Sequence, residues 1–208
     1  MAAFRAALAA RAGIECDIRM VGDTIAIVFH DSNLRRLCGA DRETLSLCSQ
    51  ETLNYRLLGT NEHIPCLYDV LQLVSGQVPL LLEIKSDKRV WKRLCQSVAD
   101  CLESCQERIG VMSFDPRVGR WFALNFPTVR RGIVVGTKES RVRRWAKLYT
   151  SRAQFAAVET PLLGTRWAQR LRRRMPLYCW TVRTVAERAQ AAVQADSLIW
   201  EGDGRPRN

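Results

Sequence analysis

The chain has 208 residues, 47% of them hydrophobic, which is enough for one sizeable core or a single α/β barrel. It has no continuous apolar run of membrane-spanning length, so the sequence predicts a soluble protein. The net charge of +11 favours anionic partners such as phosphate esters, anionic lipids or nucleic acid, although arginines on outer helix faces explain it more simply. The excess is concentrated in residues 141–144 and 170–174. Neither segment has the aromatic, Gly-rich pattern of an RNA-binding sheet, so no specific nucleic-acid binding is expected.

The eight cysteines do not follow a metal-binding or disulfide pattern. No Cys-x-x-Cys occurs, and Cys101 and Cys105 lie at helical spacing in a predicted helix. Cys16 and Cys179 lie in predicted strands, where a free cysteine behaves as a small hydrophobic residue. A chain of this length does not need disulfides for stability. We therefore predict reduced thiols in a cytoplasmic protein.

The chain begins with a predicted core-facing helix. Phe4, Leu8 and Ile14 follow a helical stripe, and Gly13 is a suitable C-terminal stop. Arg5, near the start, interrupts any apolar centre that a targeting peptide would need.

A hairpin follows, with residues 13–19 and 24–30 as its arms and a turn at Gly22 and Asp23. This pairing would place Glu15 opposite His30. Glu15 and Asp17 would point to the same face, because side chains alternate along a strand. Two carboxylates beside an imidazole suit a hard metal ion and proton transfer next to it, although a half-exposed hairpin with solvated acids gives the same spacing.

The rest of the chain alternates predicted helices and strands with short connections, which is typical of a parallel α/β fold. A short helix is predicted near residues 52–58, and a longer one over residues 64–74, opened by Pro65. Further helices are predicted over residues 90–105, 117–125, 142–148, 165–173 and 185–195. The predicted strands of the sheet are residues 13–17, 79–84, 109–114, 131–135, 156–159, 177–182 and 197–200.

These seven strands are one fewer than a closed eight-stranded barrel requires, once the second hairpin arm is set aside. Because the chain begins on a predicted helix, the missing strand would precede Met1. We therefore predict a TIM-type (β/α)8 barrel that lacks its first strand at the N-terminus. No repeat or low-complexity linker divides the chain, so residues 1–208 are predicted to form a single barrel domain.

Six short segments occur in an order that resembles the glycerophosphodiester phosphodiesterase family. Each segment is weakly specific, whereas the ordered set with fitting intervals is specific, and the similarity runs from residue 1 to about residue 200. The segments are MAAFRAAL (1–8), GIECDIR (13–19), IVFHD (27–31), IPCLYDV (64–70), LEIK (82–85) and WTV (180–182).

Members of that family are (β/α)8 barrels that hydrolyse glycerophosphodiesters to an alcohol and glycerol 3-phosphate, usually with one divalent cation. The resemblance implies that Glu15, Asp17 and Glu83 hold Mg²⁺ or Ca²⁺. It implies that His30 is one of two histidines in acid–base catalysis, and that Lys85 lies close to the phosphate. In the family's reaction the glycerol hydroxyl attacks first, and water then opens the cyclic phosphate.

Several of these residues also have plainer interpretations. Glu83 and Lys85, two apart at a strand end, could simply pair on the surface. Trp180 matches the family's aromatic residue at the substrate rim, but it could equally be barrel packing. His63 matches nothing catalytic and is predicted to be a surface residue.

The chain departs from the family at both ends. The family opens with a strand ending in His-Arg-Gly, followed by Glu-Asn-Thr, and Met1 stands where the next residue would be. The missing strand and the missing second histidine are then one absence, and we expect the natural product to be longer. If it is not, the loss costs about 10²–10⁴ in rate and leaves strand edges exposed for homodimerisation. At the other end, residues 198–203 replace the family's apolar segment followed by Thr-Asp-Arg-Pro.

The sequence thus favours a metal-dependent hydrolase acting on a small-molecule phosphodiester. One alternative is a catalytically inactive barrel that binds phosphorylated ligands or a partner, since the second histidine is absent. The other is a lysophospholipase D, which would need an apolar lip that accepts an acyl chain.

Overall fold

The computed structural model describes residues 1–22, 25–87, 89–103 and 108–206. The strands are β1 (Ile14–Val21), β2 (Ile25–Val28), β3 (Leu80–Ile84), β4 (Ile109–Ser113), β5 (Arg130–Val135), β6 (Phe155–Glu159), β7 (Leu177–Val182) and β8 (Ser197–Trp200). The α-helices are α1 (Ala2–Ala9), α2 (Arg35–Cys38), α3 (Ser49–Thr52), α4 (Leu67–Val74), α5 (Trp91–Glu103), α6 (Pro116–Asn125), α7 (Arg141–Ser151), α8 (Arg166–Arg172) and α9 (Val185–Gln194).

The chain forms two compact units, Met1–Val111 and Met112–Asn208, with β4 containing the boundary. The strand order is β2-β1-β3-β4-β5-β6-β7-β8. In the first unit β1 pairs antiparallel with β2 and parallel with β3. In the second unit β5, β6, β7 and β8 pair in parallel, each with the next. All seven predicted sheet strands are present, and the predicted hairpin is confirmed.

Strand β1 separates its apolar and polar side chains onto two faces. Ile14, Cys16, Ile18 and Met20 are buried on one face, because every second residue of a strand points the same way. Glu15, Asp17 and Arg19 alternate with them and are less buried. The neighbouring strand β3 is apolar throughout except for Glu83, as expected of a parallel strand covered on both sides.

Residues 32–64 form a long excursion between β2 and α4, and it has its own small core. Backbone bridges join Asn33 to Glu43 and Arg56 to His63, while Ile27 bridges to Cys66 just before α4. The excursion therefore lies against the end of the hairpin that carries His30. Its core consists of Val21, Ile27, Phe29, Leu34, Leu47 and Ile64.

The second unit has a separate core between its parallel strands and its helices. Trp167 on α8 is 4% exposed and meets Trp145 of α7 edge to face, with ring centroids 6.1 Å apart. The core is formed by Ile133, Val135, Leu148, Ala156, Val158, Leu162, Leu163, Trp167, Ala168, Leu171, Leu177, Cys179, Val182, Ala191 and Ala195.

The hairpin register differs by one residue from the prediction. Ile18 pairs with Val28 and Val21 with Ile25, so the hairpin is centred on residue 23 and Glu15 does not lie opposite His30. The reason is the length of the connection. Val21 pairs with Ile25, so three residues separate the paired ends and the pairing is centred on a residue, whereas the prediction assumed a two-residue turn. Asp23 of the predicted turn lies outside the described residues.

Two predicted boundaries near the N-terminus and α4 were wrong. Helix α1 ends at Ala9, and the left-handed residue after it is Arg11 (φ 50°) rather than Gly13. No residue of α1 is fully buried, so the helix faces the core less than predicted. Helix α4 begins at Leu67 rather than at Pro65, because the Pro65 carbonyl accepts a hydrogen bond from Val28 N–H at 2.9 Å.

The helix predicted over residues 52–58 was also wrong. Helix α3 spans Ser49–Thr52, and its start is fixed earlier because the Glu51 carboxylate accepts from the Cys48 N–H at 2.8 Å. The segment beyond it runs into the Arg56–His63 bridge. His63 was predicted to lie on the surface and is half-buried.

No disulfide joins any two of the seven cysteines in the described residues, and Cys105 lies outside those residues. Cys16 and Cys179 are buried in strands, as their sequence context indicated. Among the described residues, no helix combines the length and the apolar character needed to cross a membrane.

Gly132 on β5 provides a test of the packing in the second unit. A Cβ on Gly132 would lie 2.2 Å from Phe155 Cε2, and Phe155 is 1% exposed and stacked on Tyr178 with ring centroids 4.8 Å apart. Because the ring has no room to move, we expect Gly132→Ala to destabilise the protein by about 1–3 kcal/mol. This should lower Tm by about 2–4 °C per kcal/mol in thermal unfolding. Gly13→Ala, where a Cβ would make ordinary contact with Pro79 O at 3.5 Å, is the control and should change Tm little.

Candidate active site

Three acidic side chains meet on the first unit where β1 and β3 lie side by side. The parallel register pairs Asp17 with Glu83, and Glu15 precedes Asp17 by two residues on the same face. One carboxylate oxygen from each residue lies within 4.8 Å of the others. Glu83 is the most buried of the three, with 7% exposure. The structure therefore brings together all three residues for which the sequence predicted metal binding.

Lys85 extends from the end of β3 into this group of acids. Its Nζ lies 2.9 Å from Asp17 Oδ1 and also donates to Glu83 Oε1. The pairing of Glu83 with Lys85 that the plainer interpretation proposed is present, but Glu83 is buried and the pair is not a surface contact. The Lys85 backbone N–H donates to Ile18 O at 3.0 Å, which fixes this strand end against β1.

The acid group has more negative charge than its surroundings compensate. The pKa of Glu15 is raised to about 8, first by burial and then by the charges of Asp17 and Glu83, while Lys85 acts to lower it. Burial also raises the pKa of Glu83, against the opposing charges of Lys85 and His30. For Lys85 burial acts to lower the pKa, but the attraction of Glu83 and Asp17 outweighs it and the net shift is upward.

Because of this charge excess, the site fits a hard divalent cation. Mg²⁺ and Ca²⁺ prefer carboxylate oxygens, and three carboxylates leave coordination positions for other oxygen ligands. In the part of the chain that the structure describes, the ammonium group in contact with these acids is that of Lys85, which contacts two of the three. A cation would relieve the repulsion that keeps the pKa of Glu15 high.

His30 lies just beyond the paired part of the hairpin, and its side chain is 56% exposed. Its Nδ1 lies 2.6 Å from Asp31 Oδ1. The guanidinium of Arg36 donates to both oxygens of Asp31, at 2.7 and 2.9 Å. This contact is the main reason that the pKa of Asp31 falls to about 2. Arg19 Nε donates to the backbone carbonyl of His30 at 2.6 Å.

Trp180 lies on β7 in the second unit, where its indole Nε1 donates to Ala157 O at 3.2 Å. Its ring meets Phe114 edge to face, with centroids 5.4 Å apart. Trp180 is half-buried and Phe114 is 40% exposed. The ring is thus packed within the second unit and also reaches its surface. The contact with substrate stays a prediction.

Sequence reasoning missed three residues of these arrangements. Arg36 and Arg19 hold the side chain of Asp31 and the backbone of His30, and Phe114 packs on Trp180. An aromatic residue at the end of a predicted strand, as Phe114 is, was a usable signal. No sequence signal separates Arg36 from its neighbour Arg35.

The arginine-rich segments of the second unit have partners within the fold. Arg144 is buried, donates to Thr137 O at 3.0 Å and lies over the ring of Trp167 at 5.3 Å. Arg174 lies over the ring of Trp145 at 5.4 Å, and Arg172 pairs with an acid near β8, Asp196. Part of the excess positive charge is therefore structural.

Comparison with known proteins identifies the family. A model of the "Glycerophosphoryl diester phosphodiesterase family" matches residues 1–200. The chain belongs to this family. No curated protein matches the chain significantly. The family resemblance seen in the sequence is confirmed, and the chain is of the phosphoric diester hydrolase class.

Solved structures show the same fold at low sequence identity. A phosphodiesterase from Oleispira antarctica, in complex with the product sn-glycerol-3-phosphate, has a TM-score of 0.88 at 16% identity, covering 98% of this chain and 87% of its own. A glycerophosphodiester phosphodiesterase from Thermotoga maritima has a TM-score of 0.79 at 20% identity, covering 96% of this chain and 86% of its own. Another such enzyme, from Agrobacterium tumefaciens, has a TM-score of 0.77 at 17% identity, covering 98% of this chain and 90% of its own. The predicted TIM-type fold is confirmed, with seven barrel strands and the hairpin arm β2 in the described residues.

The charge excess predicts how stability depends on pH without divalent cations. Glu15 has a pKa of about 8 in the folded protein against an ordinary value of 4.5, so the folded state binds this proton more tightly than the unfolded state. The free energy of unfolding should therefore fall as the pH rises from about 4.5 to about 8. Glu15→Gln removes this loss. In EDTA at about pH 9, we expect Glu15→Gln to raise Tm by about 2–4 °C, which corresponds to an increase of about 1 kcal/mol in the free energy of unfolding. At about pH 5 the change in Tm should be smaller.

The matched control is Glu103→Gln, the same change at the exposed end of α5. A Tm for Glu15→Gln equal to that of the wild type at alkaline pH would mean that Glu15 is not held in a repulsive site.

Proposed function

We propose that this chain hydrolyses glycerophosphodiesters to an alcohol and sn-glycerol 3-phosphate, with a divalent cation held by Glu15, Asp17 and Glu83. The observation that carries the proposal is the meeting of these three carboxylates within 4.8 Å, at the positions that match the family's motifs. The product named in the Oleispira antarctica structure supports the same substrate class.

The cation would be Mg²⁺ or Ca²⁺, and when bound it would offset the negative charge of the phosphodiester as the phosphorus centre reacts. The residues around it have complementary tasks. Lys85 places an ammonium directly beside the acids, so it supplies a compact positive charge for the phosphate oxygens. Glu83 and Asp17 keep that ammonium at the site through their contacts with it.

His30 is the proposed acid–base residue. Its ring is exposed, and the N–H of the preceding residue, Phe29, donates to Asp17 O at 2.9 Å, so His30 lies beside the strand that carries two of the acids. In the route that the family resemblance implies, the glycerol hydroxyl attacks phosphorus and the alcohol departs as an alkoxide. We assign to His30 Nε2 the transfer of the proton in this step: it would take the proton of the attacking hydroxyl and give it to the departing alkoxide, because Nδ1 is already engaged by Asp31.

We also propose that Trp180 contacts the substrate. Support comes from its motif position and from the half-exposed ring beside Phe114. The substrate is proposed to be a small molecule and the protein to act in the cytoplasm; homodimer formation is a further proposal that sedimentation would test.

A lysophospholipase D activity is the second candidate, and one observation favours it. Phe114 and Trp180 form an edge-to-face pair with Phe114 40% exposed, which gives the second unit an apolar surface of the kind that an acyl chain requires. Assaying glycerophosphocholine and a lysophosphatidylcholine side by side would separate the two activities.

Removing the proposed acid–base residue should reduce activity strongly. We expect His30→Asn to lower kcat/KM for glycerophosphocholine by about 10²–10⁴, since a positioned proton donor contributes that much. The measurement is release of glycerol 3-phosphate with and without EDTA. His63→Asn is the control, because His63 is the only other histidine in the chain and its replacement should leave kcat/KM unchanged. A wild-type rate for His30→Asn would contradict the assignment.

The same assay should be run on a version extended upstream by the in-frame genomic codons. Activity that appears only in the longer version would support our expectation that a His-Arg-Gly strand precedes Met1. The absence of such codons would show that this expectation is wrong.

Binding of the cation can be measured without any substrate. At about 100 times Kd, Mg²⁺ or Ca²⁺ should stabilise the folded protein by about 2.7 kcal/mol, which raises Tm by about 5–10 °C. EDTA should reverse the shift. Glu83→Gln should abolish it, whereas Glu103→Gln should keep it. A shift of the same size in Glu83→Gln would place the cation elsewhere.

A further inference from the structure

The side chain of His30 is held by two layers of contacts rather than one. Asp31 Oδ1 lies 2.6 Å from His30 Nδ1, and the Arg36 guanidinium donates to both oxygens of the same carboxylate. We propose that Arg36 is a positioning residue, which acts through Asp31 to keep the His30 proton on Nδ1 and to leave Nε2 as the atom that exchanges a proton with the substrate. This inference rests on the proposed role of His30.

The chemistry of the two contacts explains the effect. A carboxylate without a proton can only accept, so it favours a proton on the imidazole nitrogen that faces it. Asp31 keeps its negative charge because Arg36 lowers the pKa of this carboxyl to about 2. A planar guanidinium that donates two parallel hydrogen bonds also fixes the plane of the carboxylate, which a point charge would not do.

The backbone on the other side of His30 is fixed as well. Arg19 Nε donates to His30 O at 2.6 Å, and the Phe29 N–H donates to Asp17 O at 2.9 Å. Arg19 and Asp17 alternate with the buried residues of β1 and share its polar face. The strand that supplies two of the proposed metal ligands therefore also fixes the backbone of His30, and Arg36 completes the arrangement from α2.

The neighbouring Arg35 offers a matched control within the same helix. It is similarly exposed, and it pairs with Asp41 at 2.7 Å rather than with Asp31. The side chains of Arg35 and Asp41 are 71% and 80% exposed, so little of the local structure depends on them. Arg35→Gln and Arg36→Gln remove the same charge from adjacent positions, and only Arg36→Gln removes the contact with Asp31.

The decisive experiment reads the tautomer of His30 directly. The chain contains two histidines, so ¹⁵N-histidine labelling gives two ring-nitrogen pairs, and His30→Asn assigns them. At about pH 9, where an ordinary imidazole is neutral, we expect Nδ1 of His30 to carry the proton and Nε2 to be unprotonated in the wild type and in Arg35→Gln. In Arg36→Gln the two nitrogen signals should move towards averaged values. A proton on Nε2 in the wild type, or an unchanged spectrum in Arg36→Gln, would overturn the proposal.

Kinetics provide the second measurement. We expect Arg36→Gln to lower kcat by about 10–100-fold with little change in KM, as for other residues that orient a functional imidazole. Arg35→Gln should retain the wild-type rate. Asp31→Asn should lower kcat at least as much as Arg36→Gln, and circular dichroism should show all three variants folded. An active Arg36→Gln with wild-type kcat would also overturn the proposal.

The two measurements separate this inference from the proposed function. If the wild type hydrolyses no diester but the spectra change as expected, the proposed activity fails and the positioning of His30 by Arg36 stands. If the wild type is active and the spectra of Arg36→Gln and wild type agree, the activity stands and the positioning role is wrong.

Discussion

Electrostatic repulsion among Glu15, Asp17 and Glu83 is the constraint around which the first unit is arranged. Parallel pairing of β1 with β3 brings the three carboxylates within 4.8 Å, and burial prevents water from screening them fully. The ammonium of Lys85 offsets part of this repulsion, but the pKa of Glu15 still rises to about 8. A fold that keeps such a cluster gives up stability in the absence of a cation. That cost is understandable if the cluster exists to bind one, since the same groups that repel one another would all attract the ion.

The hairpin links this cluster to the histidine that would work beside it. The excursion of residues 32–64 shares a core with the hairpin, and Leu37 and Cys38 of helix α2 pack against that core, so α2 is held by packing as well as by hydrogen bonds. Exposed ion pairs alone contribute little to order. The Arg36–Asp31 pair differs from the Arg35–Asp41 pair because Asp31 is only 19% exposed and receives two hydrogen bonds from one guanidinium. Geometry of that kind can set the tautomer of His30, whereas two solvated side chains cannot.

Much of the site could be predicted because it depends on the alternation of side chains along one strand. Glu15 and Asp17 share a face in any β-strand, and the apolar run before Glu83 marks a buried strand end. The hairpin register could not be predicted, because one extra residue in the connection shifts it and the sequence allows either length. The prediction of a helix over residues 52–58 was wrong because the Glu51 carboxylate accepts from the Cys48 N–H and fixes the start of helix α3 earlier in the chain. The upward shift in the pKa of Glu15 comes first from burial and then from the charges of Asp17 and Glu83, and the residues of β1 encode neither the burial nor the position of Glu83 by themselves.

The distribution of charge between the units bears on how a phosphodiester would be attracted. Residues 112–208 carry 19 Lys and Arg against 7 Asp and Glu, whereas residues 1–111 carry 13 against 14. The net positive charge of the protein therefore lies in the second unit, where Arg144, Arg172 and Arg174 already have partners within the fold. The first unit, which holds the acids and His30, is nearly neutral in sum. Within that unit the ammonium of Lys85 lies directly beside the acids, so Lys85 and a bound cation would be the local positive charges for a phosphate. The overall charge of +11 is thus weak evidence for the activity, and the three carboxylates with Lys85 are the stronger evidence.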